Sequence, residues 1–407
     1  MSRNDYKIFS QGQIGNLTLP NRLVRSATWD PCILITRKMT DEVLNVYREL
    51  ALGGVGLIIT GALPVADIDM LSAEAACYDD IHIEGLEKMA EVVHATGTGC
   101  KIVAQLETSF VGAAPADSLS PYFQGNDRPL TTQEVRKVVD FFIQAIVHMQ
   151  AFGFDGIQLH AAHGYFLSRF LSPYTNRRRD EYGGLVKNRA RIVREIVSGA
   201  REKVGDFPIL IKMNSTDYIE GGIDSATFPE LAQEMQDIGL DAIEISGGMW
   251  DCLVRSEQEL GFHPQPSPEA HTHIQRLEKQ SYFLPYAERL DLAIPVILVG
   301  GNRNIERLEE IVHQEKVDFI ALCRPLISEP DLPRRWLEGR GSKKTECISC
   351  NSCIYAMIVH PGRSEPGLVT CIFKQDKEQY KIAQEWLSTW VEKNVPQKEM
   401  VTLTRKE

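Results

Sequence analysis

The chain has 407 residues, 43% of them hydrophobic and 24% charged, the composition of an ordinary folded protein with a sizeable core. A formal net charge of -11 sets its field against nucleic acid and anionic membranes, so a small molecule is the expected partner. The opening residues carry no long apolar core of a signal peptide, and no run approaches the roughly 18 apolar residues of a spanning helix, so the expected location is cytoplasmic.

Along the chain, short β-rich apolar runs alternate with longer amphipathic stretches, the signature of repeated βα units around a parallel sheet. Eight candidate strands stand at 21–27, 54–60, 100–106, 156–161, 209–214, 242–246, 295–300 and 318–323. Between the third and fourth lies a helical pattern that opens with Thr131 and Glu134 at capping-box spacing and closes at Gly153. No GxGxxG turn follows the first strand, as an open doubly wound sheet would want. The expectation is therefore an α/β fold, a (βα)8 TIM barrel over residues 1–340. Residues 341–407 then form a Cys-rich segment and a C-terminal helical extension, with a final helix near 377–394 packed on the barrel. Two long insertions, 107–129 and 252–285, follow the third and sixth strands and read as rim or lid.

In such a barrel, function gathers where strands end. The fourth strand runs into "GIQLHAAHGYF", where alternation sends Ile157 and Leu159 to one face, Gln158 and His160 to the other. His163 and Tyr165 follow within one turn. Two imidazole donors aimed at a substrate oxygen would polarise it, and the phenol could deliver a proton nearby. The same residues also read as satisfied rim histidines, or as an HxxH half-site for zinc.

The run from His160 to Gly184, H-A-A-H-G-Y-x-x-x-x-F-L-S-P-x-x-N-x-R-x-D-x-Y-G-G, resembles the signature of the Old Yellow Enzyme family of FMN-dependent NAD(P)H:flavin oxidoreductases and ene reductases. The likeness extends over about residues 6–340, with "YKIFSQGQIGNLTLPNRLVRSAT" resembling the family's opening. It implies a barrel with FMN at its C-terminal mouth and NADH or NADPH as reductant. His160 and His163 would bind the carbonyl or nitro oxygen of an activated alkene, and Tyr165 would donate the proton. Asn176, Arg179, Asp180 and Tyr182 are expected to brace the rim.

By the same resemblance Ser26, Ala27, Thr28, Ala62 and Gln105 line the flavin, Gln105 at its pyrimidine edge. Lys212 stands where many relatives carry arginine, a cation that stabilises the reduced ring. Gly300, Gly301, Cys323 and Arg324, after the last two strands, would hold the phosphate. The chain departs from the pattern in three places. Trp29 replaces a threonine or cysteine beside the flavin, Glu107-Thr108-Ser109 replaces a His-containing turn, and Cys323 replaces a glycine.

Of nine cysteines, Cys32, Cys77, Cys100, Cys252 and Cys323 are scattered and read as core thiols in a reducing compartment. Cys347, Cys350, Cys353 and Cys371 form C-x2-C-x2-C-x17-C, spacing for a [4Fe-4S] cluster or for zinc, with free thiols the third reading. The motif resembles the cluster of the longer, multidomain branch of the family, whose extra nucleotide-binding portion is missing here. The expected partners are a small-molecule substrate, further copies of the chain in a homo-oligomer, and an electron-donor protein for the cluster. A different class of activity, a non-redox barrel enzyme forming a Schiff base on Lys212, is open at this stage.

Overall fold

The computed structural model describes residues 5–30, 39–65, 80–108, 113–114, 128–262, 267–272, 274–359 and 368–394. Most of the expected lid after the third strand, part of the second insertion, Cys32 and Cys77 lie outside them.

A hairpin of β1 (Gly12–Ile14) and β2 (Leu17–Leu19) comes first. The barrel strands follow as β3 (Leu23–Arg25), β4 (Leu57–Ile59), the two-residue β5 (Leu63–Pro64) and β6 (Lys101–Glu107). After a small pair, β7 (Ala113–Ala114) and β8 (Arg128–Pro129), come β9 (Gly156–Ala161), β10 (Ile209–Asn214), β11 (Ala242–Ser246), β12 (Val296–Leu298) and β13 (Phe319–Leu322). Every ladder of the barrel is parallel, and β3 pairs both β4 and β13, which closes the sheet on itself. The eight expected strands are these eight. The (βα)8 architecture stands, with β5 a spur on the end of β6.

Alternation along closed strands builds two cores. One face of each strand packs outward against amphipathic helices such as Thr132–Ala151, whose Thr131–Glu134 capping box is formed. The other face fills the interior with Val24, Leu57, Ile59, Val103, Leu210, Ala242, Ile297, Phe319 and Ala321. Ile14, Leu17 and Leu19 of the hairpin join this inner cluster and plug it from the N-terminal end. That hairpin has no counterpart among the expected strands, because three-residue strands carry too little pattern to register. Its reversal uses Gly15 at φ 53°, a left-handed position that glycine adopts without a Cβ penalty. The interior is thus sealed below and free to be polar above.

Beyond the barrel, Thr345 N–H donates to the Arg303 carbonyl at 3.0 Å, and Lys344 bridges Asn304, fastening the Cys-rich segment to the βα turn after β12. Tyr355, Ala356, Ile372 and Ala383 form a small satellite core under the helix Lys377–Asn394, at the bounds expected for it.

Candidate functional site

Above the apolar layers the inward side chains turn polar and bond to one another. Gln105 Nε2 donates to Gln158 Oε1 at 2.7 Å, and Gln158 Nε2 to Glu244 Oε2 at 2.8 Å. Glu244 Oε1 accepts from Ser26 Oγ at 2.6 Å and faces Lys212 Nζ at 3.2 Å, while Lys212 also donates to Ser26 at 2.9 Å. Glu244 is fully buried and Lys212 4% exposed, so the pair survives because each charge is matched and hydrogen-bonded. A lone acid in the strand "AIEIS" was the available signal for Glu244. Its partner could not be read from it.

This polar floor opens upward into a cavity of about 620 Å3. Ser26, Ala27, Thr28, Ala62, Gln105, His160, His163, Tyr165, Lys212, Gly300, Gly301, Cys323 and Arg324 all line it, so the structure brings the residues singled out from sequence to one place. Trp29, Glu107, Ser246, Trp250, Glu269 and Arg303 line it too. Of these only Trp29 and Glu107 had drawn notice in the sequence, as departures from the family pattern.

His160 stands one residue before the end of β9, and its ring centroid lies 5.2 Å from that of His163 and 4.7 Å from that of Tyr165. His163 holds φ 63°, costly for a side-chain-bearing residue and maintained by its surroundings. Its N–H donates to Asn214 Oδ1 at 3.0 Å, and its Nε2 lies 2.6 Å from Ser246 Oγ. Asn214 in turn donates to Asp217 Oδ1 at 2.8 Å, so a buried bracket behind the site fixes the turn. Burial, reinforced by neighbouring Lys212, holds both histidines well below the ordinary imidazole range, and they are neutral at pH 7. Burial, with the Glu107 and Glu269 carboxylates nearby, pushes the Tyr165 phenol up, so it keeps its proton. His160 Nδ1 is buried without a partner among the described residues. Among the described residues no three His, Cys, Asp or Glu side chains converge as ligands of one ion, which leaves the HxxH zinc reading unsupported.

The rim loop braces itself, with one change from expectation. Asn176 donates to the Phe170 and Tyr182 carbonyls, and Tyr182 to Glu195. The ion pair to Asp180 comes from Arg178, at 2.5 Å, whereas Arg179 is exposed. The N-x-R-x-D spacing of the motif falls on Asn176, Arg178 and Asp180, so the expectation of Arg179 is displaced by one residue.

At the other end, Gly300 and Gly301 hold φ of 103° and 74°, and a Cβ on either would meet the Tyr282 ring at 2.7 and 2.9 Å. Neither glycine N–H meets a protein acceptor among the described residues. Arg324 opens a short helix beside them, and Arg303 Nε is buried without a partner among the described residues. Cys323 bonds Thr28 Oγ1 through its sulfur at 3.2 Å and leaves its backbone to the turn. A cavity of this size with unmet N–H donors and cations at one end, a buried ammonium midway and imidazoles at the other fits a flavin mononucleotide.

Next to it, Cys347, Cys350, Cys353 and Cys371 line a second, small cavity of about 20 Å3, walled by Ile327, Ile348, Ile372 and Phe373. All four are free thiols, and burial pushes Cys353 and Cys371 up. Four free thiols around one small cavity are the kind of ligand set that holds a [4Fe-4S] cube or a zinc ion. Arg324, Ile327 and Cys353 line both cavities.

A sequence profile described as the NADH:flavin oxidoreductase / NADH oxidase family matches residues 7–343. The chain is 30% identical over 365 residues to an NADH oxidase of Thermoanaerobacter brockii, covering 85% of this chain and 53% of that protein. It is also 30% identical over 341 residues to an NADPH dehydrogenase of Halalkalibacterium halodurans, covering 81% and 94% respectively. A 2-naphthoyl-CoA reductase solved with 2-naphthoyl-CoA shares the fold at TM-score 0.73 and 24% identity, over 93% of this chain and 58% of that one. The chain thus spans about half the length of the first of these relatives.

Proposed function

The chain belongs to the NADH:flavin oxidoreductase / NADH oxidase family, and from that premise we propose that it passes hydride from NADH or NADPH, by way of FMN, to the activated C=C bond of a small α,β-unsaturated carbonyl compound. The observation that carries this reading is the convergence of His160, His163 and Tyr165 on the cavity whose far end holds Gly300, Gly301 and Arg324. When bound, FMN supplies the hydride chemistry that no side chain offers.

The chain's own residues have the remaining tasks. Gly300 and Gly301 N–H groups and the Arg324 guanidinium hold the phosphate, with the Cys323 backbone in the turn. Lys212 keeps one ammonium N–H beyond Ser26 and Glu244 for the electron-rich edge of the ring, and Gln105 borders the same edge. Ser26, Ala27, Thr28 and Ala62 form its bed. The two neutral imidazoles offer N–H donors to a substrate oxygen, where negative charge gathers as the β-carbon accepts hydride. Tyr165, still protonated, hands its proton to the α-carbon.

A second reading adds electrons through a [4Fe-4S] cluster on Cys347, Cys350, Cys353 and Cys371, fed by an external donor protein. The wall that the two cavities share favours it. We keep a homo-oligomer and a cytoplasmic location as part of the same reading, and no helix among the described residues is long and apolar enough to cross a membrane. The Schiff-base alternative finds less support, since the Lys212 side chain is tied to Glu244 at 3.2 Å and to Ser26 at 2.9 Å in the floor of the cavity.

The test is the visible spectrum of protein purified without oxygen and supplied with FMN. Flavin absorbance that NADH or NADPH bleaches, and that an enone restores, supports the proposal. Failure to retain flavin defeats it, and a broad cluster absorbance with bound iron and sulfide supports the second reading.

A further inference from the structure

The contacts tie the cysteine segment to the phosphate end of the flavin cavity. Arg324 Nη1 donates to Asn351 Oδ1 at 2.6 Å and to the His271 carbonyl at 2.9 Å. Its aim is therefore set by a residue standing between Cys350 and Cys353. Asn351, 1% exposed, is itself anchored, donating through Nδ2 to the Ala270 carbonyl at 2.7 Å. Arg303, 5% exposed, is held in the same manner from the same loop. It donates to the Cys347 carbonyl and to Ser349 Oγ, and its Nη2 lies 3.4 Å from Cys347 Sγ.

Arg303 also points to a ligand. Its Nε is buried, lies in a residue that lines the flavin cavity, and meets no acceptor among the described residues. A buried cationic donor left in this way is satisfied by an anion entering the cavity. The loop that aims both guanidiniums is conformationally demanding. Ser349 and Asn351 each hold φ 59°, a left-handed state that non-glycine residues keep only when their surroundings enforce it. The contacts that hold them are Arg303 on Ser349, and Arg324 and the Ala270 carbonyl on Asn351, while cysteines flank each in sequence.

We propose that the C-x2-C-x2-C loop is a wall of the FMN phosphate site, with Ser349 and Asn351 as positioning residues for Arg303 and Arg324, so that filling the cysteine cage and binding the phosphate strengthen one another. The inference rests on the flavin reading above. Emptying the cage releases the flanks of Ser349 and Asn351, the two guanidiniums lose their aim, and the phosphate loses donors. By linkage the effect runs equally in the other direction, with bound FMN holding the cage closed.

The experiment titrates FMN and riboflavin, followed by quenching of flavin fluorescence, into the 407-residue chain reconstituted with ferrous iron and sulfide. The same titrations are made after chelation, and on reconstituted Asn351→Ala and Ser349→Ala. FMN affinity should fall about 10-fold on stripping and in Asn351→Ala, and less in Ser349→Ala, within the usual range of coupling between sites. Riboflavin, which lacks the phosphate, should bind all four preparations alike, and FMN should slow the loss of iron to chelator. Iron content equal to the parent shows that each variant has folded around its cage. FMN affinity unchanged by stripping and by both substitutions overturns the proposal, as does a chain that takes up no iron. Failure of FMN and riboflavin alike to bind any preparation is a different result and removes the flavin reading itself.

Discussion

Replacing Glu244 by glutamine probes the floor of the site without changing its shape. The parent carboxylate is fully buried, accepts from Ser26 and Gln158 at 2.6 and 2.8 Å, and balances Lys212 at 3.2 Å. In Glu244→Gln the Lys212 ammonium, 4% exposed, loses the carboxylate paired with it, and one acceptor oxygen becomes an NH2 group facing donors. Breaking a buried ion pair from one side costs about 3–5 kcal/mol. At about 2–4 °C per kcal/mol for a large domain, the melting temperature of flavin-free protein should drop on the order of 10 °C. Urea unfolding at pH 7, followed by circular dichroism, measures the free energy. The double variant Glu244→Gln/Lys212→Met removes both charges and should recover at least about 2 kcal/mol relative to the sum of the single changes. A cost for Glu244→Gln below about 1 kcal/mol, the value of an exposed pair, would refute the reasoning. So would single-variant costs that simply add in the double variant.

Three further outcomes follow from the same geometry. Tyr165→Phe should slow reoxidation of the reduced flavin by an enone about 100-fold and leave its reduction by NAD(P)H unchanged in stopped-flow traces, since the phenol acts only as proton donor. Equal slowing of both halves would contradict that role. His160→Ala and His163→Ala should each weaken binding of a phenol ligand about 10-fold by difference titration, the loss of roughly one hydrogen bond, and undiminished binding would remove them as oxygen clamps. Burial keeps His160, His163 and His271 well below 6.5, so below that pH the unfolded chain binds more protons than the folded one. Stability therefore falls as pH drops from 6.5 toward the folded-state values, by up to about 1.4 kcal/mol per pH unit for each fully linked histidine. His271→Leu, which replaces the ring stacked 3.5 Å from Phe262 and 3.8 Å from Tyr282, should flatten that slope by about one such increment in urea titrations between pH 6.5 and 5. An unchanged slope would show that His271 takes no part in the linkage.

The strands at 209–214 and 242–246 could be placed to the residue from sequence because a short β-rich apolar run between longer amphipathic stretches is a local property, written along a few consecutive side chains. The polar strand ends, from His160 to Tyr165 and from Gly300 to Arg324, were legible for the same reason once a barrel was inferred. What lies across the barrel was not. Lys212 faces Glu244 because parallel pairing puts the two in register, and Gln105 reaches Gln158 by the same kind of alignment, neither of which is encoded in the neighbourhood of any one residue. Arg178 rather than Arg179 turns inward because the Asp180 turn decides which guanidinium can reach it. Ser349 and Asn351 look like spacers between cysteines until barrel closure carries Arg303 and Arg324 against them. Periodicity and turn chemistry act over a few residues, whereas, the Arg178–Asp180 pair aside, these contacts join groups tens of residues apart, and only the closed chain fixes their distances.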